Sequence, residues 1–218
     1  MPQLPLFPLP VVLFPDAPLP LHVFEPRYRR LLEHCLDTDR RFGMIYLERG
    51  MAEQDLRAGT VGCVARIESV EPLDDGRSNV IAIGAERFAL VRLASDPAPY
   101  RVGEVAAFED DVEPPDVELE TRVRTLFRRV AGAARVLADD TAPQPPLPAD
   151  GARLSFAIAA LIDLGLPARQ RLLASRSPSE RLRQIDDVLS SAVEAVEERA
   201  IVHRRAKSNG HGPHADHV

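Results

Sequence analysis

A histidine and a cysteine stand side by side at His34 and Cys35, and a second such pair, His22 and Cys63, is spread along the chain. A cysteine nucleophile needs a base within hydrogen-bond reach, and imidazole is the usual one. Neighbouring helical side chains diverge by about 100°, so His34 and Cys35 cannot serve each other. His22 and Cys63 fall on two predicted strands, and their approach would make a small cysteine or serine hydrolase. The plainer reading is a partly buried, hydrogen-bonded histidine and two buried thiols. Two cysteines have neither the number nor the spacing of a disulfide framework or a thiolate metal site. His211, His214 and His217 recur every three residues, but a tail containing Gly and Pro supplies no fixed ligand geometry, so no metal and no cofactor is expected. The carboxylate runs Glu109-Asp110-Asp111 and Asp74-Asp75 read as solvated strand ends and turns. Glu25, ahead of Pro26 and Arg27, places a negative charge at a helix N-terminus, where it is stabilised by about 0.3–1 kcal/mol.

The elements that carry these residues are legible from periodicity. Leu4 to Pro15 has a proline at nearly every third place, which reads as an extended sheet-edge strand. A turn at Asp16-Ala17-Pro18 and a short second strand follow. Tyr28, Leu31, Leu32, Cys35 and Leu36 recur at helical spacing after Pro26, whereas Arg27, Arg29 and Arg30 fall on other faces and read as solvated. Short strands are predicted at 42–47, 60–70, 80–83, 87–93 and 100–108, with hairpin chemistry at Asp74-Asp75-Gly76-Arg77. At Glu113-Pro114-Pro115-Asp116 the period changes from two to about 3.6. A long helix with the stripe Leu119, Val123, Leu126, Phe127, Val130, Ala134 and Leu137 follows, then a proline-rich loop. Asp150 caps a helix whose buried side is Leu154, Ala157, Ile158, Leu161 and Ile162. A short helix runs from Leu166 to Leu173. Ser177-Pro178-Ser179-Glu180 has the capping-box pattern, and the helix it opens carries Leu182, Ile185, Val188, Leu189, Ala192, Val193 and Val196 to about Ala206.

The chain is therefore expected to be α+β: a mostly antiparallel β-barrel subdomain with one inserted helix over residues 1–114, an α-helical bundle over 115–206, and a disordered tail over 207–218. Its 218 residues, 45% hydrophobic and 28% charged, suffice for a real core. No apolar run of membrane-spanning length and no signal-peptide pattern is present, so a cytoplasmic location and no membrane contact are expected. Residues 1–116 hold 12 Arg against 20 Asp and Glu, and residues 117–206 hold 14 against 12. An acidic sheet is a poor phosphate-binding surface, and tryptophan is absent, so nucleic acid is not the expected partner. The arginines Arg122, Arg124, Arg128 and Arg129 are what an RNA-binding reading would rest on.

The opening residues Leu4 to Tyr28 resemble the N-terminal, substrate-engaging domain of Lon-type ATP-dependent proteases. Arg41-Phe42-Gly43, Gly84 to Phe88, Pro99-Tyr100, Glu104 to Asp110 and Ser177 to Leu189 support the likeness in order and spacing, over about residues 3–200. The resemblance implies a PUA-like barrel followed by a helical bundle, and a module that binds polypeptide segments or a protein partner, as an adaptor in proteolysis or protein quality control. Full-length relatives continue into a nucleotide-binding module and a Ser-Lys peptidase, and this chain stops before them. Both machines need a lysine, one in the phosphate loop and one beside the serine. The only lysine is Lys207, with no glycine loop before it, so no enzymatic activity is expected. Phe7, Phe14 and Phe24 are expected inside the barrel. An edge strand or groove beside them offers an extended peptide a place to pair, with Phe7, Phe14, His22, Phe24, Glu25 and Tyr28 as the candidate contact residues.

Overall fold

The computed structural model describes residues 2–209. Its elements are β1 (Gln3–Leu9), β2 (Pro18–Val23), α1 (Pro26–Asp37), β3 (Arg41–Tyr46), β4 (Val61–Pro72), β5 (Ser78–Leu93), β6 (Arg101–Ala107), α2 (Val117–Leu137), α3 (Gly151–Leu161), α4 (Leu166–Ala174) and α5 (Pro178–Asn209). The α+β class follows, with strands first and helices after. The sheet order is β2-β5-β4-β3-β1-β6, and β6 also pairs with β5, so the sheet curls back towards its own long strand. All pairings are antiparallel except β1 with β3.

The expected edge position of the opening segment is corrected. β1 lies between β6 and β3, and it tolerates its prolines by changing partner along its length. Gln3–Leu6 pair with β6, and Leu6–Leu9 pair with β3. Pro5 and Pro8 are each paired on one side only, so neither missing N–H interrupts a ladder. The edge strand is β2. A second correction concerns β5, which runs unbroken through Gly84 where two strands were expected. The Asp16 N–H donates to the Gly84 carbonyl at 2.8 Å, and the Gly84 N–H donates to the Ala17 carbonyl at 2.9 Å. A β-carbon on Gly84 would collide with the Phe14 carbonyl, so glycine here serves close approach rather than a turn.

Strand alternation separates two apolar layers. Leu4, Leu6, Ile45, Val64, Phe88, Leu90 and Val105 fill the inside of the curl. There is no room for a β-carbon at Gly43 or Gly103, which face these side chains. The opposite face, with Phe7, Phe42, Met44, Cys63 and Ile67, packs on Tyr28, Leu31 and Cys35 of α1. That cluster continues without a gap into Phe127, Leu154, Ile158, Leu173, Leu182 and Leu189 of the helices.

Three helices start on side-chain caps. Asp116 accepts from the Leu119 N–H at 3.1 Å, Asp150 from Arg153 at 3.0 Å, and Ser177 Oγ from Glu180 at 3.0 Å. The capping box is half-formed, because the Glu180 carboxylate accepts from Ser175 Oγ instead. α2 and α5 run side by side in the same direction, joined by Arg122–Asp186 (2.9 Å), by Arg129–Glu197 (2.8 Å), and by Asp139 with His203 and Lys207. α5 extends three residues past its expected end at Ala206. His211, His214 and His217 lie outside the described residues.

Candidate functional site

The first of the anticipated chemistries does not assemble. Cys63 is fully buried against the helices, with its thiol directed at the Ala85 carbonyl, and burial pushes its pKa up to about 12. Burial and the nearby Asp39 likewise push Cys35 up to about 12. His22 is exposed on β2, not partly buried. Its Nδ1 lies 2.9 Å from Asn79 Oδ1, and its Nε2 lies 3.4 Å from an Arg77 guanidinium nitrogen. With the thiol in the core and the imidazole on the surface, no nucleophile–base pair exists between them. Among the described residues no three His, Cys, Asp or Glu side chains are placed to hold a metal ion. No helix among them is long and apolar enough to cross a membrane.

Glu25 is the N-cap residue of α1, but its carboxylate makes no cap hydrogen bond. It accepts from Arg27 Nε at 2.9 Å, and Arg27 Nη1 reaches Glu53 Oε1 at 2.6 Å. The Tyr28 hydroxyl donates to the same Glu53 oxygen at 2.8 Å, and Arg101 lies 3.5 Å from the other. Burial, reinforced by Glu53, raises the Tyr28 phenol far above its ordinary range. Arg27 is thus a linker between carboxylates and not the solvated residue its helical phase suggested. The network ties α1 to the Glu53–Asp55 turn and to β6.

The opening aromatics divide. Phe7 stacks on Tyr28 with ring centroids 4.0 Å apart, and Phe14 on Phe156 at 5.8 Å. All four rings are buried. Phe7 and Phe14 therefore lie outside the curl, beneath α1 and α3, instead of inside it. Phe24 departs further from expectation, being 58% exposed and stacked at 6.0 Å on His22. Of the six candidate contact residues only His22, Phe24 and Glu25 reach the surface, beside the exposed Ile81 of β5.

A second apolar surface lies among the helices. A groove of about 500 Å³ is lined by Phe127, Val130, Ala131 and Ala134 of α2, Leu161 at the end of α3, and Val188 and Ala192 of α5. Gln144 and Pro145 of the proline-rich loop form one wall, and Arg135 and Asp163 stand among the lining residues. Its volume is in the range of ligand sites, ~300–1,000 Å³. Leu161 and Val188 were expected on buried stripes, yet they are 55% and 37% exposed. α3 ends at Leu161, and Leu161, Val188 and Ala192 line the open groove where it stops. The periodicity placed Leu161 and Val188 on apolar stripes and carried no sign that they would be uncovered.

The groove is held to the sheet by a cluster that the sequence did not announce. Asp110, read as solvated, accepts from Arg181 at 2.6 and 2.8 Å, one bond to each oxygen, and pairs with Arg87. Arg181 is fully buried, with its guanidinium 4.1 Å from the Phe156 ring centroid and Nε donating to Ser155 at 2.8 Å. Arg87 donates from Nη1 to the Leu173 and Ser175 carbonyls, both at 2.7 Å. Burial lowers its pKa, and Asp110 opposes that shift. On the outer face of the helices, Arg122, Arg124 and Arg129 are engaged with Asp186, the Ala149 carbonyl and Glu197, which leaves less cationic surface for nucleic acid than their number suggests.

Residues 3–191 match the family model of the ATP-dependent protease La (LON) substrate-binding domain. Lon protease 2 of Herpetosiphon aurantiacus is 29% identical over 203 residues, covering 89% of this chain and 24% of that protein. Lon protease of Xanthomonas oryzae pv. oryzae is 28% identical over 213 residues, covering 94% and 25%. The chain thus spans about a quarter of the length of these curated relatives. Among solved structures, the Lon N-terminal domain protein from Xanthomonas campestris superposes with a TM-score of 0.64 at 29% identity, covering 85% of this chain and 97% of that one. The N-terminal domain of the Mycobacterium avium complex Lon protease, at 17% identity and a TM-score of 0.63, shares the fold.

Proposed function

Because the chain belongs to the family of Lon substrate-binding domains, we propose that it binds polypeptide segments, with the groove between α2, α3 and α5 as the seat for their apolar side chains. The match across residues 3–191 carries this reading. The groove supports its location, being an open surface lined by apolar side chains, whereas Phe7, Phe14 and Tyr28 of the opening segment are committed to the core. The work is binding without bond-making. The 218 residues contain one lysine, Lys207, and no glycine-rich phosphate loop, so they carry neither a phosphate cradle nor a Ser-Lys dyad. Such a module handles unfolded segments as an adaptor or holdase-like factor.

Fluorescence anisotropy with a labelled, reduced and carboxymethylated model protein tests the reading. The parent chain is expected to bind it. Val188→Asp, which puts a charge on the groove wall, is expected to weaken binding about tenfold. Val188 is 37% exposed, so the variant is expected to remain folded at the assay temperature, checked by its far-ultraviolet dichroism. Absence of binding by the parent overturns the function, and undiminished binding by the variant overturns the seat.

A further inference from the structure

β2, β5 and the outer half of β4 form a three-stranded ribbon whose two margins pair with no other strand among the described residues. β4 pairs with β3 only as far as Arg66. Exposed margins of this kind are where extended peptides add to a sheet. Whether these margins can accept one depends on which backbone groups point outward.

In an antiparallel ladder alternate residues turn their N–H and C=O towards the partner, and the residues between turn them away. The Gly84 N–H bond to the Ala17 carbonyl sets the phase. Ala17, Leu19, Leu21 and Val23 face β5, so Pro18, Pro20 and His22 face outward in the register of the strand pair. Two of these three residues have no N–H. The margin therefore offers three acceptors and one donor, and a strand laid along it would leave two of its own carbonyls without partners. On the other margin, β5 residues Asn79 and Ile81 face Glu71 and Ser69, which turns Val70 and Pro72 outward. Pro72 again lacks a donor. A register shift between Ile67 and Ser69 and the exposed carboxylates of Glu68 and Glu71 disrupt that side further.

We infer that this chain reads a polypeptide through its side chains and not through its backbone: both ribbon margins are closed to strand addition by the placing of Pro18, Pro20 and Pro72. This rests on the polypeptide-binding reading above and specifies its mode. The segment taken is selected by apolar side chains, and its backbone N–H groups are not required. Proline-rich segments are accepted as readily as others of equal apolar content.

Two measurements on the full chain test this. A labelled ten-residue peptide of leucine, valine and serine is compared with two ester analogues, in which the amide N–H is replaced by oxygen at odd or at even positions. All three are expected to bind within about twofold of one another. A loss of about tenfold or more in one analogue, with the parent peptide still bound, overturns the side-chain mode while leaving polypeptide binding intact. Failure of the parent peptide and of the carboxymethylated protein to bind overturns the underlying reading, and this inference with it. In the second measurement the double variant Pro18→Thr, Pro20→Thr, which restores two outward donors, is expected to self-associate in sedimentation velocity at concentrations where the parent does not. An unchanged sedimentation coefficient removes the prolines' role.

Discussion

Asp110 is a single carboxylate shared by two guanidiniums, one from the middle of β5 and one from the first turn of α5. Removing the charge and keeping the shape, as in Asp110→Asn, leaves Arg87 and Arg181 buried together with nothing to neutralise them. Breaking such a buried pair costs about 3–5 kcal/mol, expected as a lower urea midpoint with an unchanged slope. The exposed Arg30–Glu33 pair is worth under about 0.5 kcal/mol, so Arg30→Ala serves as the control, and equal losses in the two variants would show that Asp110 is not the tie described. Nothing around Asp110 in the sequence distinguishes it from Glu109 and Asp111. Its partners lie 23 residues before and 71 residues after it, a separation no local pattern records. Asp150 and Ser177, by contrast, bond to residues three positions away, and their roles could be read directly.

At the level of elements, sequence pattern located the five α-helices of the described residues, and errors arose where tertiary contact changed the meaning of a residue. Gly84 illustrates the point. In sequence it marks a break between two strands, and in the fold it lets Phe14 and β2 lie against an unbroken β5. Gly84→Ala is accordingly expected to cost about 3 kcal/mol by overpacking and to expose β2 first. Hydrogen exchange would show faster loss of protection at Leu19 and Leu21 than at Val64. Uniform acceleration across the sheet would instead mean that Gly84 has no special place in seating β2. Helix ends show the same limit. Leu161 and Val188 belong to apolar stripes by spacing, and only the point at which α3 stops decides that they face a groove. Pro5 and Pro8 were misread as edge residues because a strand that exchanges partners halfway leaves no trace in a one-dimensional pattern.

On the scale of the whole molecule, a shared apolar cluster and the Asp110 tie join the strands to the helices, and the two halves are expected to unfold as one cooperative unit. Tyr28, Tyr46 and Tyr100 all precede α2, and tryptophan is absent. Tyrosine fluorescence therefore reports the strand half, and far-ultraviolet dichroism is dominated by the helices. The two urea transitions are expected to coincide, and separated midpoints would show that the halves melt independently. β5 belongs at one end to the curl and at the other to the ribbon, with Arg87 gripping the carbonyls at the foot of α4 between them. The ladder from β5 to β4 shifts register between Gly84 and Arg87, so the strand bends where ribbon meets curl, and Arg87 pins that elbow to the end of α4.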